Sequence, residues 1–167
     1  MKDGLRSHAQ ILTAVEGNRV GLESLPEELR NDRLIVLAAL KHNPGAFKYA
    51  SETLKNNREL VKIAIEKYSG NLHFASDALK DDSEIVMFAV TRNGRMLEYA
   101  SDNLKNASDI VLAAVKQYGG ALHYASDALK SNINFLVQAV KTNKVAFNFL
   151  PKRFKDSHEI QNAMKKF

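Results

Sequence analysis

Residues 119–130 read GGALHYASDALK, and this pattern has three earlier copies in the 167-residue chain. Its core is an aromatic residue followed by alanine and serine, and the core returns every 25 residues. The four copies of the core are Tyr49-Ala50-Ser51, Phe74-Ala75-Ser76, Tyr99-Ala100-Ser101 and Tyr124-Ala125-Ser126. A leucine and then a lysine follow each serine at a constant distance. A fixed period of this length predicts a tandem-repeat protein rather than an irregular globular fold.

Each repeat contains one clear amphipathic helix. Within residues 110–115 the apolar side chains fall at i, i+1, i+4 and i+5, which places them in one stripe of a helix. A shorter helical stretch precedes the serine, and a serine such as Ser126 is a good N-cap for one further turn over residues 127–130. We therefore expect two short helical turns and one longer helix in every repeat.

The ends of the longer helix also carry signals. Asn56 with Glu59, and Asp81 with Glu84, have the spacing of a capping box at the helix start. A glycine such as Gly94 just after the apolar stripe predicts a left-handed stop at the helix end.

These signals predict an all-α fold, specifically a right-handed α-solenoid of about six 25-residue repeats with armadillo-like or HEAT-like layering. A helix of about 11 residues is marginal alone in water, so its apolar stripe must be buried against the next repeat. We expect a single domain over residues 1–167. It would comprise a partial N-terminal unit (1–23), five full repeats (24–148) and a C-terminal capping unit (149–167).

The extended repeat pattern resembles that of a known family. Gly-Ala-Leu-x-Tyr-Ala-Ser-x-x-Leu-Lys-x-Asp-x-x-Ile-Val-x-x-Ala-Val is similar to the short repeats called domain of unknown function 4116. The segments 122–130, 97–105 and 110–115 carry the resemblance best, and it covers roughly residues 24–160. The resemblance implies a helical interaction module, of a kind found in protist proteins and in secreted effectors of intracellular bacteria. It supplies no catalytic residues.

Composition and motifs argue against an enzyme or a metalloprotein. The chain has no cysteine, which excludes disulfides, thiolate zinc sites and a cysteine nucleophile. It has no phosphate-cradling glycine loop, paired-histidine zinc helix or nucleophile elbow. We expect no enzymatic activity, no cofactor and no metal site.

The same sequence gives expectations about compartment and assembly. No apolar run is long enough to span a membrane, and residues 1–10 lack the apolar core of a signal peptide. We therefore expect a monomeric cytoplasmic protein, or one translocated into a host cell if its source is an intracellular bacterium.

The net charge of +5 is concentrated at one end of the sequence. Residues 1–140 carry 17 Lys/Arg and 17 Asp/Glu, whereas residues 141–167 carry seven and two. Elsewhere the lysine that ends each short turn follows an acidic residue by three positions, and such pairs neutralise each other locally. In the last unit that acidic position is a lysine. The cations of this basic end are Lys152, Arg153, Lys155, Lys165 and Lys166.

A second candidate surface is apolar. One position on the outward side of the long helix, two residues after the first stripe residue, is apolar in four of six units, and Phe88 lies beside Met87. The residues at this position are Leu37, Lys62, Met87, Leu112, Val137 and Asn162. A row of exposed apolar side chains predicts a groove for a partner's helix. The alternative is that the solenoid curves enough to bury them.

Two functions follow from these surfaces. The first is a non-enzymatic repeat scaffold that binds another protein through the apolar row. The alternative is binding of nucleic acid or an acidic surface by the basic end. The same lysines also suit a capping unit that needs only a polar surface.

Overall fold

The computed structural model describes residues 7–165, and every regular element in that range is helical. The chain divides into two compact units, Met1–Ser76 and Asp77–Phe167. The expected single domain over residues 1–167 stays a prediction.

Long and short α-helices alternate along the chain, with 3-10 helices between them. The longer helices are α1 (His8–Glu16), α3 (Arg33–His42), α5 (Arg58–Lys67), α7 (Ser83–Val90), α9 (Ser108–Gln117), α11 (Ile133–Thr142) and α13 (His158–Met164). The four-residue helices are α2 (Glu27–Arg30), α4 (Glu52–Lys55), α6 (Asp77–Lys80), α8 (Asp102–Lys105), α10 (Asp127–Lys130) and α12 (Lys152–Lys155). The 3-10 helices are Leu22–Ser24, Pro44–Tyr49, Ser69–Phe74, Gly94–Tyr99, Gly119–Tyr124 and Lys144–Phe149.

One repeat therefore consists of a 3-10 helix, a four-residue α-helix and a longer α-helix. The segment from Gly119 to Thr142 shows all three, and Ser126 caps α10 by accepting a hydrogen bond from the Leu129 amide at 3.2 Å. The predicted two short turns and one longer helix are confirmed. The protein is an all-α tandem-repeat solenoid.

The long helices supply most of the core. In the second unit α7 packs on α9, α9 on α11 and α11 on α13, and in the first unit α3 packs on α1 and α5. The apolar stripe of α9, at residues 110–115, is buried at the four predicted positions. Alanines at the helix contacts permit this close packing, and all of them are buried: Ala39, Ala64, Ala89, Ala114 and Ala139.

The repeat serine also joins neighbouring repeats. The Ser126 amide donates to the Lys105 carbonyl at 2.9 Å, and the Ser126 hydroxyl donates to Oδ1 of Asn106 at 2.6 Å. We call this pair of hydrogen bonds the serine link. Equivalent links join Ser51 to Arg30 and Asn31, Ser76 to Lys55 and Asn56, and Ser101 to Lys80 and Asp81.

The predicted capping residues of the long helices are wrong by one position. Asn57 caps α5 by accepting from the Leu60 amide at 2.9 Å, and Asp82 caps α7 by accepting from the Ile85 amide at 3.1 Å. Asn56 and Asp81 instead accept the serine hydroxyls of the link. Two adjacent side chains could each cap the helix, and the long-range bond decides between them.

The predicted left-handed glycine stops are also wrong. Among residues 7–165 only Asn18 has a positive φ, and no glycine does. Gly94 and Gly119 are required for close approach instead. A Cβ on Gly94 would lie 2.2 Å from the Ala114 carbonyl oxygen, and one on Gly119 would lie 2.8 Å from the Ala146 amide nitrogen.

The N-terminal helix is fixed by two features. Ser7 and Gln10 form the capping box of α1, with the Ser7 amide donating to Gln10 Oε1 at 2.8 Å. His8 Nε2 lies 2.6 Å from Oδ2 of Asp32 at the start of α3. Burial raises the pKa of Asp32, but hydrogen bonds from His8 and from the Ile35 and Leu34 amides outweigh it and leave the pKa below its usual value.

Candidate functional site

The apolar row of the second unit runs across three packed helices. Met87 on α7, Leu112 on α9 and Val137 on α11 occupy the same position in successive repeats, and each is half-buried. Leu37 holds this position on α3 of the first unit and is also half-buried. The sequence allowed either an exposed apolar groove or side chains buried by curvature of the solenoid. The structure lies between the two, because each of these side chains is partly covered and partly exposed to solvent.

A cleft of about 480 Å³ lies beside the row, between α7 and α9. Met87, Phe88 and the edge of Ile110 form its apolar part, and Glu84 and Asp109 place two carboxylates at its rim. Ile110 is only 2% exposed, so it belongs to the floor of the cleft rather than to its walls. The cleft therefore combines an apolar surface with negative charge at the edge.

Phe88 is less available than its position in the sequence suggests. The guanidinium carbon of Arg92 lies 3.4 Å from the centre of the Phe88 ring, and Nη1 of Arg92 donates to the Phe88 carbonyl at 3.0 Å. One face of this ring is therefore covered by a side chain of its own helix. Sequence spacing indicates the position of Phe88 but not the conformation of Arg92.

The cations of the basic end do not form one patch. Lys152 and Arg153 line a cleft of about 440 Å³ together with Lys130 and Ser131. Nζ of Lys155 instead donates to the Asn148 carbonyl at 3.1 Å. Lys165 is exposed and does not line that cleft, and Lys166 lies outside the described residues.

The predicted local neutralisation of the lysine column is confirmed at three repeats. Lys55 lies 2.8 Å from Glu52, Lys80 lies 3.5 Å from Asp77, and Lys130 lies 3.0 Å from Asp127. The carboxylates are almost fully exposed, so each pair contributes little to stability. Their effect is to cancel positive charge along the repeats.

Lys130 and Ser131 are the residues of the basic cleft that sequence reasoning missed. They lie about one repeat before Lys152 and Arg153 in the chain, and only the packing of α10 beside α12 brings them together. One signal in the sequence could have indicated a different contact at this junction. Pro151 replaces the repeat serine, and a proline cannot make the serine link.

Two general features of residues 7–165 bear on function. No three His, Asp or Glu side chains in this range converge as metal ligands. No helix in the same range is long and apolar enough to cross a membrane.

Comparison with known proteins gives a family match. The model of a family described as "Domain of unknown function (DUF4116)" matches residues 10–55, 32–80, 57–105 and 108–155. Each segment covers about two repeats, and the first three segments overlap in succession. No curated protein and no solved structure matches the chain.

Proposed function

The chain belongs to the DUF4116 family, and on that premise we propose that it is a non-enzymatic helical-repeat scaffold that binds another protein. The half-buried row of Met87, Leu112 and Val137 carries the proposal, because it presents apolar atoms at a constant position on three adjacent helices. Such a surface suits the apolar face of an amphipathic helix.

The cleft beside the row favours a particular partner chemistry. Its apolar part would accept a leucine-sized or methionine-sized side chain, and the carboxylates of Glu84 and Asp109 would favour a lysine or arginine next to that side chain. The proposed partner is therefore an amphipathic helix with basic residues flanking its apolar face. We also propose that the protein itself is monomeric and acts in the cytoplasm, either of its own cell or of a host cell.

The test introduces positive charge at two of the three positions of the row. Met87→Lys together with Leu112→Lys places two charges where the partner's apolar face would lie, and we expect affinity for a captured partner to fall roughly tenfold or more. The partner is identified by affinity capture and mass spectrometry, and binding is then measured by calorimetry with the purified proteins.

The matched control adds the same charge elsewhere on the neighbouring helices. Gln117 and Thr142 are exposed and hold equivalent positions on α9 and α11, so Gln117→Lys with Thr142→Lys should leave both folding and binding unchanged. Equal binding by both double variants would contradict the proposal. Unfolding of the Met87/Leu112 variant alone would show that the row is part of the core.

A further inference from the structure

The last described junction between repeats lacks the serine link. Pro151 occupies the serine position, so the junction has neither the amide hydrogen nor the hydroxyl that the link uses. Ser131 occupies the position of the Asn or Asp acceptor. The contact made here is different, because Nη2 of Arg153 donates to the Ser131 hydroxyl at 2.9 Å.

The last two junctions each have a cleft at the equivalent place, and the net charges of the two clefts have opposite signs. At the preceding junction the cleft has about 330 Å³, and its charged residues are Asp102, Lys105 and Asp127. At the last junction the cleft has about 440 Å³, and its charged residues are Asp127, Lys130, Lys152 and Arg153. One cation among two carboxylates has thus become three cations with one carboxylate. The reversal comes from two positions, where Asp127 and Ala128 of one repeat correspond to Lys152 and Arg153 of the next.

Two of these cations form no ion pair among residues 7–165. Lys130 is paired with Asp127 at 3.0 Å, whereas no carboxylate pairs with Lys152 or Arg153 within the described part of the chain. Arg153 is also held in place, since its guanidinium carbon lies 4.9 Å from the centre of the Phe154 ring. A positioned guanidinium with an ammonium and a hydroxyl nearby is a donor set for an oxyanion.

We propose that the cleft between α10 and α12 binds a compact phosphoryl group. Arg153 and Lys152 would donate to its oxygens, the Ser131 hydroxyl would complete the donor set, and Lys130 would add to the positive potential. A long polyanion fits this surface less well, because the cleft one repeat earlier is acidic and the Asp127 carboxylate is 99% exposed. The site is separate from the apolar row, so failure of either proposal leaves the other standing.

The test is a titration of the full chain with inorganic phosphate, followed by the backbone amide NMR signals. We expect saturable shifts at Ser131, Lys152 and Arg153, with a dissociation constant in the millimolar range. Sodium chloride and sodium acetate at the same ionic strength should not reproduce them. Lys152→Gln with Arg153→Gln should weaken binding roughly tenfold or more.

A matched control removes two other cations from the same end of the chain. Lys144 and Lys165 are exposed and lie outside the cleft, so Lys144→Gln with Lys165→Gln should retain the phosphate affinity. If the Lys152/Arg153 variant does not fold, Lys152→Gln alone, a change at an exposed residue, should still weaken binding.

Three results would overturn the proposal. The first is equal loss of affinity in the two double variants, which would indicate general attraction to a basic end. The second is the same shift pattern with acetate or chloride. The third is much tighter, strongly salt-dependent binding of a short DNA duplex, which would show that the end binds nucleic acid instead.

Discussion

At the scale of single residues, one hydroxyl group serves two helices in most repeats. The Ser126 hydroxyl accepts from the Leu129 amide and donates to Asn106 of the preceding repeat. A cap alone would tolerate Asp, Asn or Thr, but the link also needs a donor small enough to fit against the preceding turn. The recurrence of serine is therefore explained by its contact outside the repeat as well as by the cap.

Ser126→Ala tests this double role. The variant loses the N-cap of α10 and the hydroxyl bond to Asn106, and we expect it to lower the free energy of unfolding by about 1–2 kcal/mol. Urea denaturation measures the change. Ser108→Ala is the control, because Ser108 is exposed and is not an N-cap, and it should change stability by less than about 0.5 kcal/mol. Equal effects of the two substitutions would argue against the link.

Residue-level prediction succeeded where the interaction is local. The serine caps follow from short-range rules, and the structure has them as expected. The choice between Asn56 and Asn57 as the cap of α5 could not be made, because both lie in the turn before the helix. Only the bond from Ser76, 20 residues later, shows that Asn56 has another role.

At the scale of elements, two glycines allow neighbouring repeats to approach closely. The sequence indicated a glycine near the end of the long helix, and the usual reason for such a glycine is a left-handed turn. The structure shows a glycine at the start of a 3-10 helix that faces a backbone carbonyl of the next repeat. A sequence pattern cannot separate these reasons, since both need a residue without a Cβ.

Gly94→Ala tests the close approach. The new methyl group would meet the Ala114 carbonyl oxygen, which is backbone and cannot rotate away, so we expect a loss of about 1–3 kcal/mol in unfolding free energy. Thermal or urea unfolding measures it. Gly45→Ala is the control, because a methyl group there would lie 3.4 Å from its nearest neighbour, Oδ1 of Asn43. A Gly94 variant as stable as the Gly45 variant would show that the repeats can move apart at little cost.

At the scale of the whole molecule, the repeated pattern predicts the fold well and the binding surfaces only in part. The 25-residue period and the burial of the alanines follow from the sequence because the same residue types recur at equivalent positions of the repeats. The exposure of Met87 and Leu112 does not, because it depends on how neighbouring helices shield them. A count of charges identifies the basic end. The count does not show that Lys155 lies outside the cleft that Lys152 lines, or that Lys130 belongs to this cleft.

The division of the charge along the chain is consistent with two kinds of surface. Residues 1–140 are neutral as a whole, and in this range Lys55, Lys80 and Lys130 of the short helices pair with carboxylates one turn earlier. The excess positive charge begins after residue 140, and part of it lines the cleft at Pro151. A neutral apolar row and a cationic cleft would select chemically different ligands.

The central claim is that four successive repeats are each bonded to the preceding one through the repeat serine, and amide hydrogen exchange tests it most directly. The backbone amides of Ser51, Ser76, Ser101 and Ser126 each donate to a carbonyl 21 residues earlier. We predict that these four amides exchange with opening free energies close to those of buried amides in the long helices. Exchange at the rate of unprotected amides at these serines would contradict the claim.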